Sequence, residues 1–492
     1  SYAGSGANLT GIGATIMVWD YNPDPYDTAV TFDTGIGITF NQKIKAGSGN
    51  ITIREDSSSG TVVENFGIGS SVTIADNALS LTPTSDLGEN KIYHLSYPPG
   101  VITNMAGENY VGTAYTFQSK VVDRELWMWG KNEHGQLGLN TRDNGEGRSS
   151  PVQVPGTTWS KVSNANFFTH AIKSDGTLWS WGYNEYGGLG QNQPNQTRTS
   201  SPVQLGSDTT WSKVHVGNSG GHAIKTDGTF WAWGFSYWGQ SGTLDRVYYS
   251  SPTQIGSGTD WDNCFRYGDH NAAAVKTDGT LWMMGRNSWG LLGLNAPESS
   301  ARSSPTQLPG TTWKEVSGQS HTIAVKTDGT LWTWGRNNQG QLGHNNRTEY
   351  SSPVQIPGST WKQVKGFSYG NLATKTDGTM WAWGYNPDGN LGQSQAYAQL
   401  KATSSPVQIP GSTWSAIGTG IYHALATKTD GTLWGWGDNN NGNLGQNQNS
   451  MKYSSPVQIP GTTWIYGQSA IDRWRTGAQS GIDNSFCIKE IT

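Results

Sequence analysis

The sequence predicts an all-β protein in two parts, an N-terminal β-sandwich followed by a seven-bladed β-propeller. Three observations support this: a tryptophan motif that recurs seven times, an Asp-Gly turn in nearly every period, and an N-terminal stretch of short alternating strands that lacks the motif. Of the 492 residues, 66 are Gly and 24 are Trp, and only 14% are charged. Because Gly and β-branched residues disfavour helices, we expect strands throughout.

The repeated motif is an apolar residue followed by Trp-x-Trp-Gly, first seen at Leu126–Gly130. Its copies end 49 to 53 residues apart, and the fourth has Met284 in place of the second Trp. Alternating large apolar residues are typical of a buried strand, so we expect these tryptophans to form core rather than to bind a ligand. The copies carry Trp127, Trp179, Trp231, Trp282, Trp332, Trp381 and Trp434.

Each period contains three further elements, illustrated by the first one. Ser150–Gln153 has the sequence Ser-Pro-Val-Gln, a single tryptophan follows at Trp159, and the alternating stretch His170–Lys173 leads through Asp175-Gly176 to the next Trp pair. Asp-Gly between alternating apolar residues predicts a tight hairpin of type I′. Four short strands in every period indicate a β-propeller.

The ends of the repeat region are predicted to pair with each other. There are seven tryptophan motifs but only six Asp-Gly hairpins. We therefore expect Phe486–Lys489 to pair with Glu125–Trp129, in a sheet with three strands from the C-terminus and one from the start of the repeats. Such pairing removes exposed sheet edges.

These motifs resemble the repeats of the regulator of chromosome condensation family, over about residues 121–492. The resemblance implies a seven-bladed propeller. Residues 16–119 contain short alternating strands, such as Ile36–Phe40 and Ile92–Leu95, which predict a β-sandwich. Their order resembles a bacterial Ig-like family of surface proteins. Residues 1–15 are Gly-rich, and we expect a linker or tether there.

No catalytic, cofactor or metal site is predicted, and we expect a protein that is not an enzyme. The sequence lacks Gly-x-Ser-x-Gly, His-Glu-x-x-His and a Walker loop. Histidines recur near strand starts, but neighbouring blades are too far apart to share one tetrahedral metal site, so a structural role is expected. Cys264 and Cys487 are too few for a disulfide framework, and their pairing stays open. The histidines are His170, His222, His321 and His423.

Two regions are candidates for binding a partner. The first is the set of variable loops after each Gly-x-Leu-Gly, which are rich in Asn, Gln, Arg and Tyr and suit a polar partner or a glycan; solvated connectors are the alternative. The second is an insertion in the last period, with an Arg-Trp-Arg run that suits either an interface anchor or a lid over the ring closure. The candidate residues are Tyr249, Arg347, Tyr350, Tyr397, Tyr453, Arg473, Trp474 and Arg475.

Composition narrows the function. A net charge of −4 argues against nucleic-acid binding. The sequence contains no run of 18 apolar residues, so it predicts no membrane-spanning helix. Low charge and many Asn, Gln and Gly residues lead us to expect a structural and adhesion module, located extracellularly or on the exterior of a virion of phage tail or fibre type, or on a bacterial surface.

Its expected partners are other structural proteins of the particle or cell surface, with a glycan or a second copy of the chain as further candidates. The alternative, implied by the family resemblance, is an intracellular propeller that regulates a small GTPase or chromatin. A third hypothesis, a secreted enzyme acting on polysaccharide, would need convergent carboxylates around a pocket.

Overall fold

A computed structural model describes most of the chain, and within the described residues it is all-β. The only helices in that part are two single 3-10 turns, Glu185–Gly187 and Ser288–Gly290. The chain divides into two compact units, one carrying the strands up to residue 118 and the other those from residue 124 onward. The described residues are 16–23, 25, 30, 35–84, 87–88, 91–111, 115–119, 123–143, 147–165, 167–217, 220–267, 270–394, 402–420, 422–464, 479–480 and 484–490.

The first unit is the expected sandwich. Its two four-stranded sheets have the orders β1-β2-β7-β6 and β10-β8-β4-β5, and β3 pairs with β9. Alternate residues of the strands point inward, as Ile36, Ile38 and Phe40 do in β2, so the two sheets share one apolar core. The strands are β1 (Val18–Asn22), β2 (Ile36–Phe40), β3 (Ile44–Ala46), β4 (Asn50–Glu55), β5 (Val62–Gly67), β6 (Thr73–Ala75), β7 (Ala78–Leu81), β8 (Ile92–Ser96), β9 (Ile102–Asn104) and β10 (Tyr115–Gln118).

The second unit consists of seven four-stranded sheets, numbered here as blades 1 to 7 in the order of their Trp-Gly strands. Blade 1 contains β11 (Arg124–Gly130), β12 (Arg148–Gln153), β37 (Gln479–Ser480) and β38 (Asn484–Glu490). Blade 2 contains β13 (Trp159–Asn164), β14 (Phe168–Lys173), β15 (Leu178–Tyr183) and β16 (Arg198–Gln204). Blade 3 contains β17 (Trp211–Gly217), β18 (Gly220–Lys225), β19 (Phe230–Gly234) and β20 (Tyr249–Gln254).

The remaining blades follow the same pattern. Blade 4 contains β21 (Trp261–Tyr267), β22 (Asn271–Lys276), β23 (Leu281–Gly285) and β24 (Arg302–Leu308). Blade 5 contains β25 (Trp313–Gly318), β26 (His321–Lys326), β27 (Leu331–Gly335) and β28 (Tyr350–Ile356). Blade 6 contains β29 (Trp361–Phe367), β30 (Gly370–Lys375), β31 (Met380–Tyr385) and β32 (Ala402–Ile409). Blade 7 contains β33 (Trp414–Thr419), β34 (His423–Lys428), β35 (Leu433–Gly437) and β36 (Tyr453–Ile459).

The two ends of the repeat region pair as the sequence predicted, with Leu126 opposite Ile488 in the antiparallel pair of β11 and β38. The predicted division of the sheet into three strands and one is wrong. Its order is β12-β11-β38-β37, two strands from each end. The reason is that each Ser-Pro strand pairs with the Trp-Gly strand before it, as β12 does with β11, and not with the single-Trp strand after it.

The second tryptophan of the motif is a core residue, as expected, whereas the first is only half-buried and packs against the edge of a core cluster, as Trp179 does. The second Trp of the motif is fully buried, as at Trp181, and lies against a glycine of the preceding blade: a Cβ on Gly138 would be 2.7 Å from the Trp181 Nε1 atom. That Nε1 donates a hydrogen bond of 2.9 Å to the Gln136 carbonyl oxygen. In blade 4, Met284 packs against Gly242 of blade 3 in the place that the second tryptophan takes in the other blades. A flexible thioether can fill this space, which explains why the motif tolerates methionine here.

The Asp-Gly turns are hairpins, but the predicted type I′ geometry is wrong. Gly176 has a positive φ of 77°, whereas Asp175 is not among the residues with positive φ. Asp175 Oδ1 instead accepts hydrogen bonds from the Thr177 backbone N–H at 3.0 Å and hydroxyl at 2.6 Å. This side chain holds the turn, so only the glycine needs a left-handed conformation, as in a three-residue hairpin loop.

A backbone hydrogen bond joins every blade to the next. In blade 1, the Asn140 N–H donates to the Ser200 carbonyl oxygen of blade 2 at 2.7 Å, and in blade 7 the Asn447 N–H reaches the Ser149 carbonyl of blade 1 at 2.7 Å. Each donor has a positive φ, which Asn adopts more readily than most residues. The donors are Asn140, Asn192, Leu244, Asn295, Asn345, Ser394 and Asn447.

Candidate functional site

One end of the propeller carries a concentration of aromatic and cationic side chains. Because the four strands of a blade run antiparallel in chain order, the turns between its first and second strands and between its third and fourth strands lie at the same end. The residue that follows the glycine of each Trp-Gly motif lies at this end too, either as the last residue of its strand or directly after the strand. We call this surface the aromatic face and define it by Tyr186, Phe235, Trp238, His270, Arg286, Trp289, Arg336, Tyr369 and Tyr385.

In blades 2 to 4 the rings of the aromatic face form a continuous cluster. The Phe235 ring centroid lies 5.0 Å from that of Tyr186 and 5.9 Å from that of His270. The His270 ring is 6.1 Å from Trp238, whose face is covered by the Arg286 guanidinium at 4.8 Å. Cations over tryptophan faces are stabilised by the ring quadrupole.

In blades 4 to 6 the aromatic face is centred on Arg336. Its guanidinium lies 4.7 Å from the Trp289 ring centroid and 5.4 Å from that of Tyr369. Tyr369 is in turn 6.2 Å from Tyr385. The two rings hold the guanidinium in place, which leaves a pre-organised cation among flat apolar surfaces.

Two members of the aromatic face have unusual backbone conformations. Tyr186 and Trp289 have φ values of 53° and 55°, in the left-handed region that bulky residues rarely adopt. Such strain costs on the order of 1–3 kcal/mol and concentrates at functional sites. Tyr186 is also 38% exposed although its ring lies within the cluster. A strained and accessible aromatic residue is therefore an indication of a binding surface.

A third group lies at the same end in blades 1 and 2. The His134 and Tyr183 rings stack with centroids 5.0 Å apart, and the Arg198 guanidinium lies 4.5 Å from the Tyr183 centroid. Burial lowers the pKa of His134, although the Glu133 carboxylate opposes the shift. The neutral imidazole therefore packs as a flat ring beside the arginine.

The predicted loop residues are used largely to hold their own loops. The Tyr249 hydroxyl donates a 2.6 Å hydrogen bond to Asp245 Oδ2, and this bond raises the pKa of Tyr249. Tyr350 accepts a 3.2 Å hydrogen bond from Asn346 Nδ2.

The remaining candidates differ in environment. Tyr453 accepts a hydrogen bond from Gln448 Nε2, and Arg347 is exposed. The structure does not gather these residues into one cluster, so partner binding through them stays a prediction. Tyr397, Arg473, Trp474 and Arg475 lie outside the described residues.

The recurrent histidines are buried and occupy two different strand positions. His170 pairs with Ser180, whereas His321 pairs with Gly335 at the start of its strand. Burial lowers the pKa of His170 to about 3 and that of His321 to about 4, and the His321 Nε2 atom contacts Asn371 Oδ1 at 2.7 Å. In the described part of the chain, no group of three or more His, Cys, Asp or Glu side chains could hold a metal ion.

The two cysteines are both buried and free. Burial raises the pKa of each thiol to about 12, so both remain protonated thiols at neutral pH. Within the described residues, no helix has the length and hydropathy that a membrane span requires.

Our sequence interpretation missed the aromatic face, although a signal for it was present. The residue directly after each Trp-Gly motif is aromatic or cationic in six of the seven copies. These are Lys131, Tyr183, Phe235, Arg286, Arg336 and Tyr385, with Asp438 as the exception. An alignment of the seven periods would have shown this position.

Comparison with known proteins identifies both parts of the chain. The model of the regulator of chromosome condensation (RCC1) repeat matches residues 123–172, 175–224, 278–325, 328–373 and 430–466, and a second RCC1 repeat model matches 414–443. The model of a bacterial Ig-like domain matches residues 15–119.

Curated relatives match part of the repeat region. The mitochondrial RCC1 domain-containing protein RUG3 of Arabidopsis thaliana is 30% identical over 36% of this chain and 41% of its own length. The ultraviolet-B receptor UVR8 of the same plant is 28% identical over 40% of this chain and 44% of its own. The chain thus spans less than half the length of these relatives.

Among solved structures, Prp20p from Saccharomyces cerevisiae superposes with a TM-score of 0.65 at 17% identity, covering 76% of this chain and 93% of Prp20p. Its description concerns the binding of Prp20p to Gsp1p and histones. At this identity the likeness shows a shared fold.

These findings contradict our main functional hypothesis. The relatives are RCC1-type proteins, so the predicted adhesion or structural role in a virion, phage tail or cell surface, the extracellular location and the particle-protein or glycan partners are wrong. The physical reason is that composition misled us. The abundant Asn, Gln and Gly residues serve the turns and the links between blades, as Asn140 and Gly138 do, and do not indicate an exterior surface.

The repeated motifs, the seven four-stranded sheets and the matching family models agree with one another. The chain belongs to the RCC1 repeat family, with a bacterial Ig-like domain ahead of its repeats.

Proposed function

We propose that this protein is a regulator without covalent catalysis, whose propeller binds a partner protein of the small GTPase class through the aromatic face. The observation that carries the proposal is the position of Arg336 on the aromatic face, where its guanidinium lies between the Trp289 and Tyr369 rings. Arginine and large aromatic residues are the types that dominate binding energy at protein interfaces. Here Arg336, Trp289 and Tyr369 are clustered, and each of them is only half-buried.

A further observation supports the proposal. The family is shared with Prp20p, whose description names binding to Gsp1p and histones, so propellers of this kind can act by binding proteins.

The test measures nucleotide release from small GTPases. A panel of GTPases loaded with a fluorescent guanine nucleotide is mixed with the full chain, and the release rate and complex formation are followed. We expect at least one GTPase to bind. We expect Arg336→Ala to weaken that binding about tenfold or more, because removal of an interface hot spot typically costs at least about 1–2 kcal/mol.

A matched control is Val407→Ala, which changes an exposed residue on the outer strand β32, away from the aromatic face. This variant should bind as the unchanged protein does. If no GTPase of the panel binds, the proposed partner class is wrong. If Arg336→Ala binds as tightly as Val407→Ala, the proposed surface is wrong.

A further inference from the structure

A cavity of about 450 Å³ opens between blades 5 and 6. Its walls are mainly apolar and include Ile356, Pro357, Pro406 and the rings of Trp361 and Trp381. Small-molecule sites are typically apolar clefts of roughly 300–1,000 Å³ with a few polar groups that fix orientation. The size and lining of this cavity fit that description.

Lys375 supplies a cation to the cavity wall. Its ammonium lies 4.7 Å from the Trp361 ring centroid and 4.3 Å from that of Trp381. Among the described residues, no carboxylate lies within ion-pair distance of this ammonium. A partly desolvated ammonium that lies against two ring faces and has no ion-pair partner gains further stabilisation from an anion.

The chain shows elsewhere which anion the same arrangement accepts. In blade 3, Lys225 lies against Trp211 and Trp231 and pairs with Asp208. Burial raises the pKa of Asp208, but hydrogen bonds from Lys225 and Thr210 outweigh it and lower the pKa overall. The carboxylate is therefore bound in its charged form.

Blade 4 repeats this arrangement with a different aspartate. The Lys276 Nζ atom lies 3.0 Å from Asp260 Oδ2 and against the rings of Trp261 and Trp282. Asp260 directly precedes Trp261, and the residue that directly precedes Trp361 in blade 6 is Thr360. Blade 6 thus keeps the lysine and both tryptophans but lacks the carboxylate at this place.

We propose that the cavity between blades 5 and 6 binds a carboxylate joined to an apolar or aromatic group, with the carboxylate on Lys375 and the apolar group against Pro357 and Pro406. This ligand takes the place that Asp208 and Asp260 fill in blades 3 and 4. The carboxylate belongs either to a small organic acid or to the C-terminus of a peptide. The proposal is independent of the aromatic face and of the GTPase proposal.

The test uses isothermal titration calorimetry on the full chain with two matched pairs of probes. The first pair is 3-phenylpropionate and its neutral amide, 3-phenylpropionamide. The second is the peptide Gly-Gly-Phe with a free C-terminal carboxylate and the same peptide amidated. We expect at least one acid to bind and its amide to bind about tenfold more weakly or worse, since hydrogen bonds to charged groups contribute about 1.5–3 kcal/mol. The acid that binds identifies the source of the carboxylate.

Two variants test the site itself. Lys375→Gln should weaken binding of that acid about tenfold or more. Thr360→Asp should also abolish binding, because it supplies an internal carboxylate as Asp260 does in blade 4. Neither change removes a large buried side chain, and thermal unfolding will confirm that both variants fold.

The matched control is Lys326→Gln in blade 5. Lys326 lies between Trp313 and Trp332 at 4.5 and 4.9 Å in the same arrangement, but it does not line the cavity. This variant should bind the acid normally. The proposal is overturned if neither acid binds, if the amides bind as well as the acids, or if Lys375→Gln retains the affinity of Lys326→Gln.

Discussion

Leu126 and Ile488 are direct cross-strand neighbours, although they lie near opposite ends of the repeat region. Both are buried in the same cluster, together with Met128 and Phe486. This antiparallel pair of strands joins the start of the repeats to the last described strand of the chain. Its loss would expose strand edges and apolar surface of blade 1 together.

We expect Ile488→Ala to lower the free energy of unfolding of the propeller by about 2–5 kcal/mol, as large-to-small core substitutions do. Tryptophan fluorescence during denaturant unfolding measures this, because Trp19 is the only tryptophan in the first 120 residues and the signal reports the repeats. Val203→Ala, at an exposed position on β16, is the control and should change stability by less than about 1 kcal/mol. Equal effects of the two substitutions would contradict the role of the pairing.

The glycine that receives the second tryptophan offers a second prediction. Gly293 has a φ of +71°, and a Cβ there would lie 2.8 Å from the Trp334 Nε1 atom. Gly293→Ala combines backbone strain with overpacking, for which we expect a loss of about 2–4 kcal/mol in unfolding free energy. Gly206→Ala separates the two effects, because Gly206 has a φ of +63° with no atom within 4 Å of its added Cβ. If Gly206→Ala costs as much, the contact with tryptophan contributes nothing.

The buried histidines predict a pH dependence of stability. Burial lowers the pKa of His321 to about 4 from an ordinary value of 6.5, so the unfolded chain binds a proton in this interval that the folded protein does not. The free energy of unfolding should therefore fall as the pH is lowered from 6.5 towards 4, by up to about 3 kcal/mol for this residue.

His321→Asn removes the titrating group. Asparagine already occupies the equivalent position in blade 4, where Asn271 pairs with Gly285 as His321 pairs with Gly335. Unfolding followed between pH 7 and pH 4 should show a shallower decline for this variant. His94→Asn in the first unit is the control and should leave the decline in the tryptophan signal unchanged. An unaltered decline in His321→Asn would count against the assignment.

The strained aromatic residue Trp289 predicts a separation of stability from binding. Trp289→Gly relieves a φ of 55° but loses the contact with Arg336. Relief of the strain, about 1–3 kcal/mol, and loss of the cation–π contact, about 0.5–2 kcal/mol, are opposite in sign, so the unfolding free energy should change by less than about 2 kcal/mol. Partner binding through the aromatic face should nevertheless fall. A large loss of stability would show that this ring serves the fold.

The sequence predicted the features that depend on local pattern or on simple counting. The missing seventh hairpin predicted that Phe486–Lys489 would pair with Glu125–Trp129, and alternation predicted the burial of Trp181 and its equivalents. Alternation does not tell which of two neighbouring strands a Ser-Pro segment joins, so the composition of blade 1 was mispredicted.

Features that depend on the arrangement of blades could not be inferred from one period. Arg336 meets Trp289 from blade 4 and Tyr369 from blade 6 only after the sheets are placed side by side. The cavity at Lys375 likewise exists only between two blades. Composition was the least informative signal, because the same Asn and Gly residues suit a tight turn in any cellular location.

The hydrogen bond that runs from each blade to its successor, including the one from Asn447 to Ser149, makes all seven junctions alike. No junction therefore marks an obligatory beginning of the polypeptide. A circular permutant that connects the present ends of the propeller and opens the chain at Asp328-Gly329 would keep every one of these junctions. Evolution or protein engineering could thus relocate the termini while leaving the aromatic face undisturbed.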